Sequence, residues 1–348
     1  MTFDLDFRPF ELALEEPFTT AQGTITSRDG FLIRVEHEGV IGIGEATPLP
    51  GWTESYEDCQ RALEAAESAA SEGSGAALEA VEERAAARHG VSLAIADLYA
   101  TRAARPLYQY LGDASRVARV PVNATVGDAD PDSTAQAVRR AVDRGFRSCK
   151  LKVGSRSLDD DLERVERARE TAGEAIELRI DANGAWTYGE AIDAIDRLSD
   201  LDISIVEQPL PSGALEGHAE LRGHGVQIAL DEGILEHGVD AICSAEAADI
   251  LVLKPMALGG IDVARDIVAW IGELGIEPLV TTTIDGVVGR TAAVHLAAAI
   301  PEVRPCGLAT GDLLANDLGR DPIFFEKGAA VVPQAKGLGI DDIWGADE

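Results

Sequence analysis

Lysine is scarce in this chain of 348 residues: there are five, Lys150, Lys152, Lys254, Lys327 and Lys336, against twenty-five arginines. A chain that so prefers arginine keeps lysine where arginine cannot substitute. Proton transfer is such a task, because a guanidinium stays charged whereas a buried ammonium can be tuned towards neutrality. Basic charge as a whole is also short, with 30 Lys and Arg against 61 Asp and Glu and a formal net charge of −31. That excludes a nucleic-acid partner, which is bound through clustered Lys and Arg. An acidic surface of this kind stays hydrated in concentrated salt, where screening removes self-repulsion, so a halophilic source is expected. Cysteine is sparse too. Cys59, Cys149, Cys243 and Cys306 stand far apart with no CxxC pair, which speaks against a disulfide framework or a zinc site. Long apolar runs are missing, and the stretch Thr2 to Phe10 alternates and carries charge instead of forming an apolar leader. A cytoplasmic protein with no membrane partner is expected.

The apolar fraction, 46%, suits a large barrel with an added lobe. The opening hundred residues read as an α+β lobe, with strand-like runs at 3–11, 30–38 and 40–46. Helical stretches follow at 56–71, 76–88 and 92–104, the first two separated by a Ser/Gly break at 72–75. From Val120 strand and helix alternate strictly. Apolar strand-like runs fall at 120–126, 146–153, 176–181, 202–207, 226–231, 249–254, 277–283 and 304–308. Helical segments between them include 131–144, 158–172, 188–199 and 261–274. Eight strands with alternating helices predict an α/β fold, a modified (β/α)8 TIM barrel with an α+β capping domain. An open doubly wound sheet is the alternative, but it would gather its site at one switch point. The expected division is a capping domain over 1–115, a barrel over 116–320, and a carboxyl-terminal segment, 321–348, packing back on the capping domain.

Charged residues close strand after strand. The second ends in Lys150-Leu151-Lys152, the third in Asp181, the fourth in Glu207, the fifth in Asp231 and the sixth in Lys254. From Lys152 onward the intervals are 29, 26, 24 and 23 residues, about one βα unit each. All five therefore land on the carboxyl-terminal rim, where barrel sites sit. Asp181, Glu207 and Asp231 on adjacent strands form a cluster of like charge, which repulsion and desolvation both oppose. A hard divalent cation resolves that conflict, and carboxylate oxygens suit Mg²⁺, with Mn²⁺ the alternative. Separate helix N-caps are the competing reading of each acid. Lys150 and Lys152, two apart, share a strand face, and Lys254 lies across the mouth. Opposed lysines beside a metal suit proton removal from the carbon next to a carboxylate, since the ion and nearby cations stabilise the enediolate as it forms. Salt bridges between these lysines and the acids are the structural alternative.

Weaker signals surround this core. Asn183 in Asp181-Ala182-Asn183-Gly184 stands either near the metal or in an Asx-type turn. Glu232 is either a supporting group of the site or an exposed charge. Gly259-Gly260 has the look of a phosphate-cradling turn, although such pairs are common before helices. His295 lies within a helical pattern and reads as structural.

Together, KLK at 150–152, DANGAW at 181–186, EQPL at 207–210, DEG at 231–233 and LKP at 253–255 resemble the enolase superfamily, in its muconate-lactonising subgroup. The resemblance covers nearly the whole chain. It implies a lysine base acting with Mg²⁺ on a small-molecule carboxylate, and it leaves open whether copies of the chain form a homo-oligomer. Within the subgroup, the segments at 28–34, 42–51 and 307–311 look most like the o-succinylbenzoate synthase family of menaquinone biosynthesis. That likeness implies a lyase: Lys152 takes the α-proton of a cyclohexadiene carboxylate and returns a proton to the departing hydroxyl on the same face. Lys254 stabilises the enediolate and Lys150 assists Lys152. The loop around Thr19 and the segment Leu49 to Trp52 close over the mouth, with Thr19 and Thr283 as candidate substrate contacts. The alternatives are an N-succinyl or N-acyl amino acid racemase, a dipeptide epimerase or a cycloisomerase. Dipeptide epimerases of the subgroup typically carry a DxD on the eighth strand, where this chain reads Gly307-Leu308-Ala309-Thr310-Gly311. The seventh strand, Thr281 to Gly286, also departs from the family's serine-rich pattern. More distant readings are a Schiff-base aldolase using Lys254 and a barrel without catalysis.

Overall fold

A computed structural model describes residues 3–20, 23–112, 115–341 and 343–344, without the side chains of residues 18–20 and 23. The chain opens with an antiparallel sheet of β1 (Asp4–Thr20), β2 (Gly23–His37) and β3 (Val40–Ala46). β1 runs well beyond the expected strand end, with a register irregularity between Ala13 and Phe18. Helices α1 (Tyr56–Ala69), α2 (Ser74–Ala80), α3 (Ala85–Arg102) and α4 (Leu107–Leu111) follow. The second helix ends and the third begins earlier than the Ala/Glu pattern suggests. The cause is Glu54, whose carboxylate accepts from the backbone N–H of Ala86 and Ala87 at 3.0 and 2.9 Å. An anion on these otherwise unpaired donors fixes where the helix starts. β3 then lies so close to α3 that a Cβ on Gly44 would stand 1.9 Å from the Gly90 carbonyl oxygen.

The next unit alternates as the pattern predicts. It comprises β4 (Arg119–Pro121), β5 (Ala124–Val126), α5 (Pro131–Asp143), β6 (Ser148–Lys152), α6 (Leu158–Ala172), β7 (Glu177–Asp181), α7 (Tyr188–Asp200) and β8 (Ile203–Glu207). It continues through α8 (Leu215–Leu221), β9 (Gln227–Leu230), α9 (Glu232–Ser244), β10 (Ile250–Leu253), α10 (Ile261–Glu273), β11 (Glu277–Val280) and α11 (Val287–Ala299). Local chemistry sets the helix starts: Asp130 accepts from Ser133 N–H ahead of α5, and Thr187 with Glu190 forms a capping box on α7. β5 to β11 form one parallel sheet in sequence order.

The eighth stave, 304–308, is not a regular strand, and Pro305 within it has no N–H to donate. It still closes the barrel. Cys306 N–H bonds the Pro121 carbonyl at 2.9 Å, Asn123 N–H bonds the Cys306 carbonyl at 3.0 Å, and Gly307 N–H bonds the Val280 carbonyl at 3.0 Å. The expected first strand divides in two. β4 leaves the barrel to pair with β13 (Ala329–Val331), which also pairs with β12 (Phe324–Glu326). After β13, Leu338 N–H reaches Asp97 at 2.7 Å, His295 bonds the Leu338 carbonyl at 3.1 Å, and Arg8 donates to the Ile343 carbonyl at 2.7 Å. Inside the barrel Ile205, Ala229, Val252 and Leu279 belong to one buried apolar cluster. Each of the first three lies two residues before a charged rim residue, so the strand period lifts Glu207, Asp231 and Lys254 directly above it. Among the described residues no helix is long and apolar enough to cross a membrane.

Candidate active site

Register brings the strand-end residues together. Lys152 pairs with Asp181, and Asp181 with Glu207, across β6, β7 and β8. Lys150 Nζ lies 3.0 Å from Asp181 Oδ2 and 2.8 Å from Glu207 Oε1, bridging the two acids. Lys152 Nζ reaches the same Asp181 oxygen at 2.7 Å and Asn183 Oδ1 at 2.8 Å. Across the mouth, Lys254 Nζ donates to Asp231 Oδ2 at 2.7 Å. The three acids are buried while the Lys152 side chain keeps 32% of its surface exposed, so the ammonium is reachable from the rim.

Asn183 is drawn in from two sides. Its N–H donates to Asp181 Oδ1 at 3.1 Å, an Asx-type turn, and its Nδ2 donates to Glu232 Oε1 at 2.8 Å. Glu232 is therefore tied into the site. Gln208, whose role the sequence did not reveal, accepts from the N–H groups of Asp231 and Gly233, both at 3.1 Å. This fixes the turn that presents Asp231. Trp52, from the loop after β3, places its ring under Lys254 Nζ at 3.3 Å from the centroid. The backbone of Thr19 lies in β1, but its side chain is outside the described residues. Thr283 donates its hydroxyl and its N–H to Asp285. The Gly259-Gly260 turn meets a lobe arginine, with Arg88 bonding the Gly259 carbonyl at 2.8 Å and Asp262 at 3.0 and 3.1 Å.

Electrostatics follow from burial and these contacts. Burial opposes ionisation of Asp181, but the Lys150 and Lys152 ammoniums outweigh it and hold the carboxyl well below the usual range. Burial lifts Glu207 to about 7, with the Asp181 charge adding to the effect and Lys150 opposing it. Asp231 is raised by burial despite Lys254. Lys150 is held above its ordinary value because Asp181 and Glu207 overcome the desolvation of its charge.

Among the described residues no three His, Cys, Asp or Glu side chains stand at ligating spacing, since lysine ammoniums separate the acids. The donor set nevertheless fits a hard cation. It offers three buried carboxylates, and Asp231 Oδ1 and Glu232 Oε2 are buried oxygens without a hydrogen-bond donor. An acceptor left so is costly unless a cation or a substrate group meets it.

Residues 133–342 match the family described as enolase C-terminal domain-like, and residues 6–98 match the MenC amino-terminal domain. The hydrophobic dipeptide epimerase of Enterococcus faecalis is 32% identical over 96% of this chain and 97% of its own. The o-succinylbenzoate synthase of Thermobifida fusca is 38% identical, but over 59% of this chain and 63% of its own. The substrate-liganded L-Ala-D/L-Glu epimerase of Bacillus subtilis superposes with a TM-score of 0.89 at 27% identity, covering 98% of this chain and 99% of that one. The Enterococcus faecalis dipeptide epimerase, solved with Mg and L-Leu-L-Tyr, gives 0.85 at 30% identity over 97% and 99%.

Proposed function

The chain belongs to the enolase superfamily, in its muconate-lactonising subgroup, and from that premise we propose that it moves the α-proton of an N-acylated amino acid or dipeptide from one face of the carbon to the other. The observation that carries this reading is the opposition of Lys152 and Lys254. They approach from β6 and from the end of β10, on different sides of the mouth, each with its ammonium hydrogen-bonded to an aspartate. Two acid–base groups on opposite faces are what racemisation or epimerisation needs, and α-proton removal by a positioned base contributes about 10² to 10⁴-fold. Lys152 takes the proton from one face and Lys254 delivers one to the other; the reverse reaction exchanges their roles. Lys150 stays charged between Asp181 and Glu207 and keeps a positive field at the developing enediolate. Asp181, Glu207 and Asp231 would hold Mg²⁺, which when bound supplies the charge that acidifies the α-proton. Likeness to epimerases over essentially the full chain supports this reading.

A second reading, dehydration to o-succinylbenzoate, is favoured by the match of residues 6–98 to the MenC amino-terminal domain. The absence of a DxD at Gly307 to Gly311 points the same way. The test presents Mg²⁺-loaded protein in D₂O with dipeptides, with N-succinyl amino acids and, separately, with the hydroxy-cyclohexadiene carboxylate. Deuterium entry with inversion of the α-carbon is expected. Turnover of the cyclohexadiene alone would replace the first reading by the second.

A further inference from the structure

A buried ion pair in α6 lies directly behind Lys152. Arg164 is fully buried, 1% exposed, and pairs with Asp161 at 2.8 Å, itself 2% exposed at the side chain. Its guanidinium also donates to the Lys152 carbonyl at 3.1 Å, to the Gly127 carbonyl at 3.2 Å and to Thr134 Oγ1 at 3.3 Å, and it stands 3.2 Å from Asp128. Asp161 in turn accepts from Gly154 N–H at 2.7 Å, and Val153 N–H between them bonds the Asp181 carbonyl at 3.0 Å. Three consecutive residues at the end of β6 and just beyond it, Lys152, Val153 and Gly154, are thus each pinned at a backbone group. Gly154 has φ +94°, so the chain turns sharply there.

Burying such a pair brings little stability, since replacement by apolar groups of similar volume is often neutral or favourable. Its geometry, however, is specific. The rigid planar fork of an arginine holds several acceptors in fixed, divergent directions, a geometry that the single ammonium of a lysine cannot reproduce. Among the described residues no charged side chain bonds the Lys254 carbonyl, which accepts an ordinary turn bond from Leu258 N–H at 3.0 Å. We infer that the Arg164–Asp161 pair is a positioning device for Lys152, setting the backbone from which its ammonium reaches the substrate face. The inference rests on Lys152 acting as the base on one face.

The test uses Arg164→Lys, which keeps the charge and loses the fork, and Asp161→Asn, which keeps an acceptor for Gly154. Full-length protein with Mg²⁺ is followed in D₂O with N-succinyl-L-phenylalanine and N-succinyl-D-phenylalanine. Exchange on the Lys152 face is expected to fall about 10- to 100-fold, the effect of an ångström-scale misplacement, with exchange on the Lys254 face within about 3-fold of wild type. Five lysines also allow ¹³Cε labelling with each signal assigned by Lys→Arg replacement. Asp161→Asn, which adds no lysine, should shift or broaden the Lys152 signal and leave those of Lys254, Lys327 and Lys336 in place. This arm decides even if the probe amino acids are not turned over. Equal slowing on both faces, or an unmoved Lys152 signal, overturns the inference. If Lys152→Ala leaves exchange on both faces intact, the assignment of the base fails instead, independently of the NMR result.

Discussion

The ammonium of Lys254 lies 3.3 Å from the centroid of the Trp52 ring, so an aromatic side chain of the amino-terminal lobe seats directly on a barrel lysine. The loop that carries Trp52 is itself anchored: Arg28 donates to the carbonyls of Thr47 and Pro48 at 2.8 and 3.1 Å, and to that of Ile284 at 3.2 Å. One arginine therefore links the lobe loop to the segment after the seventh strand. A cation over an indole face contributes about 0.5–2 kcal/mol. Trp52→Ala should lower kcat/KM about 2- to 30-fold, at roughly 1.4 kcal/mol per tenfold. Trp52→Phe should retain most of the activity. Steady-state kinetics on the substrate that turns over check this, and an unchanged kcat/KM in Trp52→Ala would show that the contact is idle.

Removing either proton-transfer lysine should affect one face only. Lys152→Ala is expected to lose about 10² to 10⁴-fold of the exchange on its own face and to retain exchange on the other. Lys254→Ala should give the mirror-image result. ¹H NMR of the α-proton of each enantiomer in D₂O reads both rates. Loss on both faces from each single variant would mean that the lysines act as one unit, and the two-base assignment would fall.

The rim was legible because two simple periods act together. The βα repeat sets which strand ends meet, and the strand period of two sets which side chains rise from the interior, so Lys150, Lys152, Asp181, Glu207, Asp231 and Lys254 could be placed from spacing alone. Groups that act through the backbone left no such trace. Gln208 supports Asp231 by accepting two N–H bonds, and in sequence it is one more polar residue after a strand. Glu54 moves the start of α3 from outside the helix, where helical periodicity cannot register it. The eighth stave was read as a strand from its apolar residues, yet Pro305 reduces it to a few bridging bonds. The reaction itself was the least legible part. One rim of lysines and acids serves both dehydration and epimerisation, and the expected synthase chemistry now stands second to the epimerase reading supported by full-length relatives.

Metal binding should be visible without turnover. Three buried acids contact Lys150, Lys152 and Lys254 at the rim, and among the described residues Asp231 Oδ1 has no donor. Mg²⁺ bound only by the folded state raises stability by RT ln(1 + [L]/Kd), about 2.7 kcal/mol at a hundredfold excess over Kd. The melting temperature of wild-type protein should therefore rise with Mg²⁺, and Asp231→Asn should blunt the rise. Lys150→Ala leaves Asp181 and Glu207 facing each other without their shared cation, a loss of about 3–5 kcal/mol for a broken buried pair. Added Mg²⁺ should recover part of that loss. Thermal melts with and without Mg²⁺ decide, and a wild-type melt insensitive to Mg²⁺ would remove the metal from the proposal.

A second pair of acids, away from the rim, predicts a pH dependence of stability. Glu45 of β3 is fully buried and accepts from Gly286 N–H at 2.6 Å, Gly289 N–H at 2.8 Å and the Thr47 hydroxyl at 2.5 Å, capping α11 from the lobe. Asp285 faces it, Arg28 and Arg290 lie nearby, and Asp317 adds a further negative charge. Burial, reinforced by the Asp285 charge, raises Glu45 from its ordinary 4.5 to about 7. The folded state thus holds a proton that the unfolded chain releases, so stability from this group is full below about pH 4.5 and declines as pH rises to 7. A shift of that size corresponds to about 3 kcal/mol at most, at 1.36 kcal/mol per unit. Glu45→Gln removes the titration while keeping one acceptor oxygen, leaving a constant offset from the lost second acceptor. The stability of wild type relative to Glu45→Gln should therefore fall steadily between pH 4.5 and 7 and level off above it. Denaturant unfolding across that range measures the difference, and a difference that does not vary with pH would show that Glu45 is ionised in the folded state throughout.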